Sequence, residues 1–444
     1  METQPQPGGI KKIMLMYHDH LDHMLTIRQA VMAAANPEAL IDRILHLQEN
    51  TIRIGDVELH LKATSRLFLI AFGKASAAMS RAVLRILKPS LAEGLIAVPH
   101  DYQGSLPDGM RIFHAGHPLP DESSMEAGRV VADILARTKE DDIVLVLISG
   151  GGSAMLELPR PGITLQDMRK LNTLLLHSGA PIASVNIVRR AISQIKAGGL
   201  ARMAAPAKVV ALIISDVIGD RLSAIASGPT VLRAPKPEQV RAVLQQYQLW
   251  NRVPNNIRNS ISQTRSPSSR TSRPVNIIIG NNRLVIRAAQ KTAHDLGFPT
   301  KILTSKLQGE AKIAGRRLAT SLRRAPEPHC LIAGGETTVH IQGDGHGGRN
   351  QELALAAALT LDGIPNCALM ALATDGVDGP TSAAGAIVTG NTIPRARQLG
   401  LDPEGALKKN DSFPFHQALR STISTGPSGT NLNDLVVGLK YASP

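Results

Sequence analysis

A glycine-rich loop at residues 149–153 is the segment of this chain best suited to bind an anion. Its three glycines follow the apolar run Ile143–Ile148 and allow the backbone to turn tightly and present bare N–H groups to a phosphate or carboxylate. The residues after the loop can open a short helix whose N-terminus faces the same spot. The predicted anion-binding residues are Ser149, Gly150, Gly151, Gly152 and Ser153. A tight strand-to-helix turn without a ligand is the alternative interpretation.

Polar residues also follow other apolar runs of the sequence. A lysine in such a turn can reach a phosphate as a flexible point charge, although the segment around Lys74 lacks the residues of a Walker loop. Cations for a transferring group, carboxylates for Mg²⁺ or a hydroxyl proton, and backbone N–H groups are together suited to phosphoryl transfer. These candidates are Lys74, Asp216, Asn281, Glu336, Arg349 and Asp375, of which Arg349 lies in a glycine loop.

The elements that must position these residues are strands that alternate with helices along the chain. This alternation predicts an α/β fold with a mostly parallel sheet, in which ligands bind beyond the carboxyl ends of the strands. The polar candidates should therefore gather at one rim. The same reading predicts a strand at residues 337–341 and mainly helix at residues 13–48.

Composition narrows the class of protein. The chain has 444 residues, 43% of them apolar, which is enough for a large core and two to three domains. Aromatic residues make up only 2%, so stacking of nucleic-acid bases on exposed rings is disfavoured. Two cysteines argue against a disulfide framework, and we find no run of about 18 apolar residues and no secretory signal. We expect a cytoplasmic location without a membrane or nucleic-acid partner.

The net charge of +13 favours anionic partners. Part of this charge lies in residues 257–274, which carry four arginines and no acid among many serines and prolines. We interpret this segment as an exposed linker, with an electrostatic role as the alternative. A non-enzymatic nucleic-acid binder would need a basic stripe on one face, but the lysines and arginines are spread along the chain.

A second cluster of residues that could bind a metal ion is the sequence HDHLDH at residues 18–23. Its spacing resembles the metal-binding signature of the metallo-β-lactamase fold, but that fold places the motif after several strands. Fewer than 20 residues precede it here. We therefore favour a helix over a zinc site at this segment.

A set of short motifs, in fixed order over about residues 25–440, carries a specific family resemblance. The motifs are AFGKAS, HAGHPLPDE, LISGGGSA, IKAGGL, SDVIGD with SGPT, IIGNN, AGGETTV, GGRNQELAL, ATDGVDGPT and TGPSGTNLNDL. They resemble the class II glycerate kinases, the glycerate 2-kinase family with a C-terminal MOFRL domain. The resemblance implies ATP-dependent phosphorylation of D-glycerate at its 2-hydroxyl, with Mg²⁺, in a cleft between a Rossmann-like N-terminal domain and a smaller α/β domain.

The resemblance also implies roles for the matching residues. Lys74 and Arg349 would neutralise the transferring phosphoryl group. Asp216 and Asp375 would hold Mg²⁺ or polarise the attacking hydroxyl, and the sequence does not separate these two roles. The loop at residues 149–153 would hold an anion. Substrate or nucleotide would be oriented by Lys196, Asn281, Glu336 and Asn350.

Domain boundaries follow from the same reading. We predict an N-terminal extension at 1–24, a Rossmann-like domain at 25–256, a linker at 257–274 and a C-terminal α/β domain at 275–440, including the MOFRL-type region 330–440. The implied partners are D-glycerate and a nucleotide. Nucleotide preference and oligomeric state, including a homodimer, are left open.

An NAD(P)-dependent hydroxypyruvate reductase is the alternative function, because relatives of the family carry that name. Gly343, Gly345 and Gly348 also fit the spacing of a dinucleotide fingerprint. A nicotinamide site needs those glycines in the first strand-to-helix turn, with an acid at the end of the next strand. The following Arg349 suits an anion better than a ribose.

Overall fold

The computed structural model describes residues 17–262 and 273–443, and within them it confirms the predicted α/β fold. The strands are β1 (Leu45–Gln48), β2 (Thr51–Ile54), β3 (Val57–His60), β4 (Leu67–Phe72), β5 (Leu91–Pro99), β6 (Arg111–Ala115), β7 (Ile143–Ile148), β8 (Lys208–Ile214), β9 (Val275–Gly280), β10 (Thr300–Leu307), β11 (His329–Gly335), β12 (Cys367–Ala373), β13 (Gly385–Thr389), β14 (Thr422–Ile423) and β15 (Asp434–Lys440).

Helices alternate with these strands over most of the described chain. They are α1 (His20–Ala34), α2 (Pro37–Asp42), α3 (Ser76–Leu87), α4 (Glu122–Leu135), α5 (Gly152–Met155), α6 (Leu165–His177), α7 (Ile182–Ala191), α8 (Gly199–Met203), α9 (Pro237–Gln246), α10 (Asn255–Ser262), α11 (Asn282–Asp295), α12 (Ala311–Arg323), α13 (Arg349–Leu361), α14 (Thr392–Gln398), α15 (Pro403–Lys408) and α16 (Ser412–Ala418). Among the described residues, no helix is long and apolar enough to cross a bilayer.

The chain divides into two compact units. The N-terminal unit comprises Ala33–Asn282 and Pro427–Asn433. The C-terminal unit comprises the described residues up to Met32, then Arg283–Gly426, and the chain from Asp434 on.

This division differs from the predicted boundaries at three points. Strand β9 pairs with β8, so it completes the N-terminal sheet although it follows the predicted linker. The first residues of that linker belong to α10, where Ile257 and Ile261 are buried one turn apart, and residues 263–272 lie outside the described chain. The predicted extension ends inside α1, whose Met24 is buried.

The N-terminal unit contains a six-stranded parallel sheet in the order β6-β5-β4-β7-β8-β9. Every residue of β4 and β7 is buried, as expected for strands covered on both faces. Phe72 pairs with Ile148, Ile148 with Ile213, and Ile214 with Gly280. The carboxyl ends of β4, β7, β8 and β9 are therefore neighbours on one edge.

The segment before this sheet is only partly helical. Asn36 caps α2 with its Oδ1, which accepts from the N–H groups of Glu38 and Ala39 at 2.9 and 3.1 Å. Residues 45–48 form β1 instead of the predicted helix. This strand pairs with β2 across a turn in which Glu49 has a φ of 52°, and β2 pairs with β3.

The C-terminal unit contains a six-stranded mixed sheet in the order β10-β11-β15-β12-β13-β14. Only β10 and β11 are parallel, and β15 runs antiparallel between β11 and β12. Asp434, the first residue of β15, pairs with Gly335 on one side and Ala373 on the other. The start of β15 therefore meets the carboxyl ends of β11 and β12.

The strand predicted at residues 337–341 is wrong. Only Thr338 makes a bridge, to Glu310, and Ile341 is 77% exposed. Ile341 is too exposed to belong to a strand packed on a hydrophobic core, which the apolar residues of this segment had predicted.

Glu327 ties the C-terminus of the chain to the C-terminal unit. Its carboxylate accepts hydrogen bonds from Asn366 at 2.8 Å and from the N–H and Oγ of Ser443, both at 2.9 Å, and pairs with Lys440 at 3.2 Å. The bond from Asn366, followed by those from Ser443, lowers the pKa of Glu327 to about 2.

We expect Glu327→Gln to lower the free energy of unfolding by about 1 kcal/mol at pH 7, because the amide loses the charge-assisted bonds. A carboxyl whose folded pKa is depressed stabilises the fold above its unfolded pKa, and this contribution is lost as the pH falls toward 2. Urea denaturation at pH 7 and pH 3 should thus show a difference that shrinks in acid. Glu404→Gln, at a side chain that is 63% exposed, is the control. A difference that stays constant with pH would contradict this role.

Candidate functional site

Four of the predicted site positions in the N-terminal unit, counting the glycine loop as one, follow the carboxyl ends of four neighbouring strands. Lys74 follows β4, the glycine loop follows β7, Asp216 follows β8 and Asn281 follows β9. Because these strands are parallel and adjacent, the structure brings these residues to one edge of the sheet. Lys196 reaches the same region from the segment between α7 and α8.

The turn that carries Lys74 is locked to the glycine loop by hydrogen bonds. The N–H of Lys74 donates to the carbonyl of Gly150 at 2.9 Å, and the N–H of Ala75 donates to Oγ of Ser149 at 3.0 Å. Gly73 has a φ of +115°, and a Cβ there would lie 2.4 Å from Oγ of Ser149. Ser149 is buried, so its hydroxyl holds the two turns together. Binding of an anion by this side chain stays a prediction.

The glycine loop itself has backbone donors available. Gly151 has a φ of +81°, a left-handed conformation that favours glycine, and it precedes the four-residue helix α5. Within the described residues, the N–H groups of Gly150 and Gly151 make no backbone hydrogen bond. Consecutive N–H groups of this kind can form an anion-binding concavity. Binding of an anion by this loop stays a prediction.

His117 also lies beside this loop, at a position for which the sequence predicts no role. A Cβ at Gly151 would lie 2.8 Å from Cδ2 of His117. Burial, and then the nearby charge of Lys74, lower the pKa of His117 below its ordinary value. Both effects favour the neutral form of the imidazole. The only sequence signal for His117 was its place in the HAGHPLPDE motif.

Asp216 contacts the other side of the glycine loop. A Cβ added to Gly150 would lie 2.4 Å from Oδ2 of Asp216, so only glycine leaves room for the carboxylate in this position. The backbone carbonyl of Asp216 accepts from Nδ2 of Asn433 at 2.7 Å. The neighbouring candidate Asn281 donates from its Nδ2 to Oδ2 of Asp220 at 2.8 Å.

A cavity of about 170 Å³ opens beside the loop. Lys196 and Glu157 form a buried ion pair at its wall, and Glu157 also accepts from Oγ of Ser193 at 2.5 Å. Nε of Arg189 donates to Oδ1 of Asn172 at 2.8 Å, while burial lowers the pKa of Arg189. The cavity is lined by residues that include His117, Gly151, Ser153, Asn172, Arg189 and Lys196.

The C-terminal unit has its own cluster, centred on Arg349. Its guanidinium donates to both carboxylate oxygens of Asp434, at 2.6 and 2.9 Å, and pairs with Glu336 at 3.1 Å. Burial alone would lower the pKa of Arg349, but the bonds and charge of Asp434 raise it. Burial raises the pKa of Asp434, and Arg349 opposes this shift. The carboxylates of Asp434 and Glu336 thus pair with the guanidinium that was predicted to neutralise a phosphoryl group.

The start of α13 positions Arg349. The buried carboxylate of Asp378 accepts from the N–H of Asn350 at 3.0 Å and of Gln351 at 2.9 Å, which caps the helix. Asn350 is fully buried, and its side-chain amide also donates to Asp378 at 3.2 Å. Its predicted role in binding substrate stays a prediction. The structure gives it a role in fixing the helix that begins with Arg349.

Asp375 is half-buried in the turn after β12, where its Oδ1 accepts from the N–H of Val377 at 3.2 Å. Glu336 follows β11 in the same way. Since the ends of β11 and β12 flank Asp434, the structure brings Glu336, Asp375 and Arg349 to one edge of the C-terminal sheet.

The glycines of the dinucleotide-like spacing pack against protein backbone. A Cβ at Gly343 or Gly345 would lie 2.5 or 2.4 Å from the carbonyl oxygen of Lys409, and one at Gly348 would lie 2.3 Å from the carbonyl oxygen of Asp378. None of the named strands leads directly into this loop. Close chain packing therefore explains the glycines without a nucleotide.

The predicted magnesium ligands provide the hard oxygen donors that this ion prefers. Mg²⁺ is commonly held by one or two carboxylates together with substrate phosphates. Asp216 and Asp375 each follow a strand at a ligand-binding edge, and both fit this donor set. Among the described residues, no group of three or more metal-binding side chains was found. Of the HDHLDH histidines, His23 packs edge-on against Phe298 and hydrogen-bonds the Tyr441 hydroxyl at 3.1 Å.

Comparisons with known proteins agree on one family. Residues 23–262 match a family described as a domain of unknown function, DUF4147, and residues 329–434 match the MOFRL family. A D-glycerate 2-kinase from Thermotoga maritima is 40% identical over 84% of this chain and 90% of its own. The crystal structure of a glycerate kinase from the same organism superposes with a TM-score of 0.87 at 36% identity, over 95% of this chain and all of that one. A protein from Agrobacterium vitis with a provisional name as a hydroxypyruvate reductase is 37% identical over 83% of this chain and 98% of its own.

Proposed function

This chain belongs to the MOFRL-containing glycerate kinase family, and we propose that it transfers the terminal phosphoryl group of ATP to the 2-hydroxyl of D-glycerate. The observation that carries the proposal is the edge of the N-terminal sheet. There Lys74, the glycine loop and Asp216 follow neighbouring parallel strands, and both Lys74 and Asp216 lie against Gly150 of the loop. A cation, backbone donors and a carboxylate at one edge are what phosphoryl transfer requires.

We assign complementary tasks to these groups. The N–H groups of Gly150 and Gly151 would hold a phosphate, and the Lys74 ammonium would offset negative charge on the transferring group. Asp216 and Asp375 would hold Mg²⁺, which when bound neutralises phosphate charge. Proper placement of the hydroxyl can suffice for a loose transition state, so none of these residues has to act as a strong base.

The small hydroxy acid would occupy the cavity of about 170 Å³. Lys196 is already neutralised by Glu157, so Arg189 is the better partner for the carboxylate of glycerate. Its Nε is held by Asn172, which leaves the terminal nitrogens to form a bidentate pair. Lys196 would then act by supporting the wall of the cavity.

Arg349 and Asp375 belong to the C-terminal unit, and their part in the reaction is proposed from their family motifs. In our proposal Asp434 and Glu336 orient Arg349 by three charged contacts. An arginine whose fork is fixed in this way loses little freedom when it meets a phosphate.

An assay with purified protein tests this function against the alternative. We expect ADP to form from ATP only when D-glycerate and Mg²⁺ are both present. Hydroxypyruvate reduction, motivated by the name of the Agrobacterium vitis relative, predicts oxidation of NADH or NADPH by hydroxypyruvate instead. Nicotinamide oxidation without glycerate-dependent ADP formation would reject the kinase.

Gly150→Ala should separate the site from the fold. The new Cβ would collide with the end of the Asp216 side chain, which can rotate away, and the backbone at residue 150 does not adopt a positive φ. We expect kcat/KM for glycerate to fall by about tenfold or more because the carboxylate moves, with little change in the melting temperature. Ala136→Gly, at the end of α4, is the control. Gly109→Ala would strain a backbone with a φ of +79° and cannot serve this purpose. Unchanged kinetics would show that the position of Asp216 is unimportant.

A further inference from the structure

A second cavity lies in the C-terminal unit and is separate from the Arg349 cluster. It measures about 660 Å³ and is bordered by the N-terminal half of α1, by β13 and β14, and by the start of α14. This volume is in the range of sites that bind metabolites. Glu336, Arg349, Asp375 and Asp434 are absent from its lining.

Helix α1 gives this cavity an apolar wall. Met24, Ile27 and Val31 form the buried stripe that fastens the helix to the unit. Leu21 and Leu25 lie on an adjacent stripe and line the cavity, and Leu21 remains 49% exposed. The lining also includes β14, the edge strand of the sheet. Leucines that line a concave space and are not fully buried are suited to contact an apolar group of a ligand.

The charged lining of the cavity is entirely cationic. Arg28, Arg395 and Arg420 line it, and no aspartate or glutamate does. Within the described chain, none of these three arginines has an ion pair or side-chain hydrogen bond. By contrast Arg397, on the same helix as Arg395, pairs with Asp362 at 2.8 Å and Glu404 at 3.6 Å.

Arg420 is directed to this place by the end of α16. It has a φ of 53° and its N–H donates to the carbonyl of Gln417 at 3.0 Å, so it occupies the left-handed position after a helix that glycine usually takes. Three arginines from three separate parts of the chain therefore line one concavity. Charges of one sign in a cleft with low-dielectric walls focus the field and concentrate anions.

We propose that this cavity binds a small organic anion that carries at least two negative charges, such as a phosphate monoester, and an apolar group. The guanidinium groups would take the charged end, assisted by hydroxyls of Thr389, Thr392 and Thr422, and the apolar group would pack on Leu21 and Leu25. This site goes beyond the proposed kinase chemistry. It supplies a second place on the chain where a metabolite can bind.

Calorimetric titration of the full chain with 1-naphthyl phosphate tests the proposal. The Arg28→Ala/Arg395→Ala double variant should bind 1-naphthyl phosphate at least about tenfold more weakly, because each substitution removes a charge-assisted hydrogen bond to the phosphate. Arg316→Ala/Arg317→Ala removes the same charge from the exposed face of α12 and should bind like the wild type. Equal affinity of the two double variants would overturn the proposal.

Two further measurements cover the apolar half and the fold. Inorganic phosphate should bind more weakly than 1-naphthyl phosphate, and Leu25→Ser should remove most of that difference. Equal affinity of the two probes for the wild type would refute the apolar wall. If the arginine double variant does not fold by circular dichroism, Arg28→Ala and Arg395→Ala are tested singly. Each should then weaken 1-naphthyl phosphate binding, and affinity like the wild type in both would refute the charged wall.

Discussion

Replacing Lys74 with alanine should lower kcat by about 10²-fold or more while the protein stays folded. A preorganised charge near a transferring phosphoryl group contributes this much to a rate, whereas a half-buried lysine contributes little to stability. The side chain can be removed without disturbing the turn, because the turn is held by the N–H of Lys74 and by Ser149. Steady-state kinetics with ATP and D-glycerate measure the effect.

Lys208→Ala is the matched control for this experiment. Lys208 is an exposed lysine at the opposite end of the same sheet, where β8 begins. It should change neither kcat nor the melting temperature. If Lys74→Ala kept the activity of Lys208→Ala, the lysine after β4 would have no part in the chemistry.

Arg349→Ala should lose both activity and stability, which distinguishes it from Lys74→Ala. The substitution leaves the carboxylate of Asp434 buried without its bidentate partner, at a cost of about 3–5 kcal/mol. Because burial raises the pKa of Asp434, the orphaned group gains a proton more easily in acid. The stability deficit should therefore be largest at neutral pH and shrink as the pH falls through the raised pKa.

A double variant separates the two losses. Arg349→Met combined with Asp434→Leu replaces the buried pair by apolar groups and should recover most of the stability. It should not recover kcat, because no guanidinium remains to meet the phosphoryl group. Urea denaturation and steady-state kinetics on the same samples give both quantities. Activity close to wild type in the double variant would assign Arg349 to the fold alone.

Ligands bind beyond the carboxyl ends of parallel strands, and this rule explains which parts of the site could be predicted from the sequence. Lys74, Asp216 and Asn281 follow apolar runs that form neighbouring parallel strands, so their order along the chain sufficed to predict a common edge. Asp434 was missed because it begins a strand, whereas the other candidates follow one. Only the antiparallel insertion of β15 between β11 and β12 brings it to the same edge as Glu336 and Asp375.

The other differences between the predicted and the observed roles arise from partners that are distant in the sequence. Nothing near Lys196 indicates that Glu157, 39 residues earlier, neutralises it inside the core. Ser149 looked like part of an anion site, but its hydroxyl serves the N–H of Ala75. Strand β9 lies beyond a polar segment that resembles a linker, and its pairing with β8 depends on tertiary structure.

Phosphorus NMR of the product formed from ATP and D-glycerate tests the central claim most directly. Phosphate on the 2-hydroxyl couples to the single proton on C2, so we predict a doublet for the new phosphate ester. A triplet, from coupling to the two protons on C3, would contradict the proposed position of transfer. The absence of any glycerate phosphate ester would contradict the kinase itself.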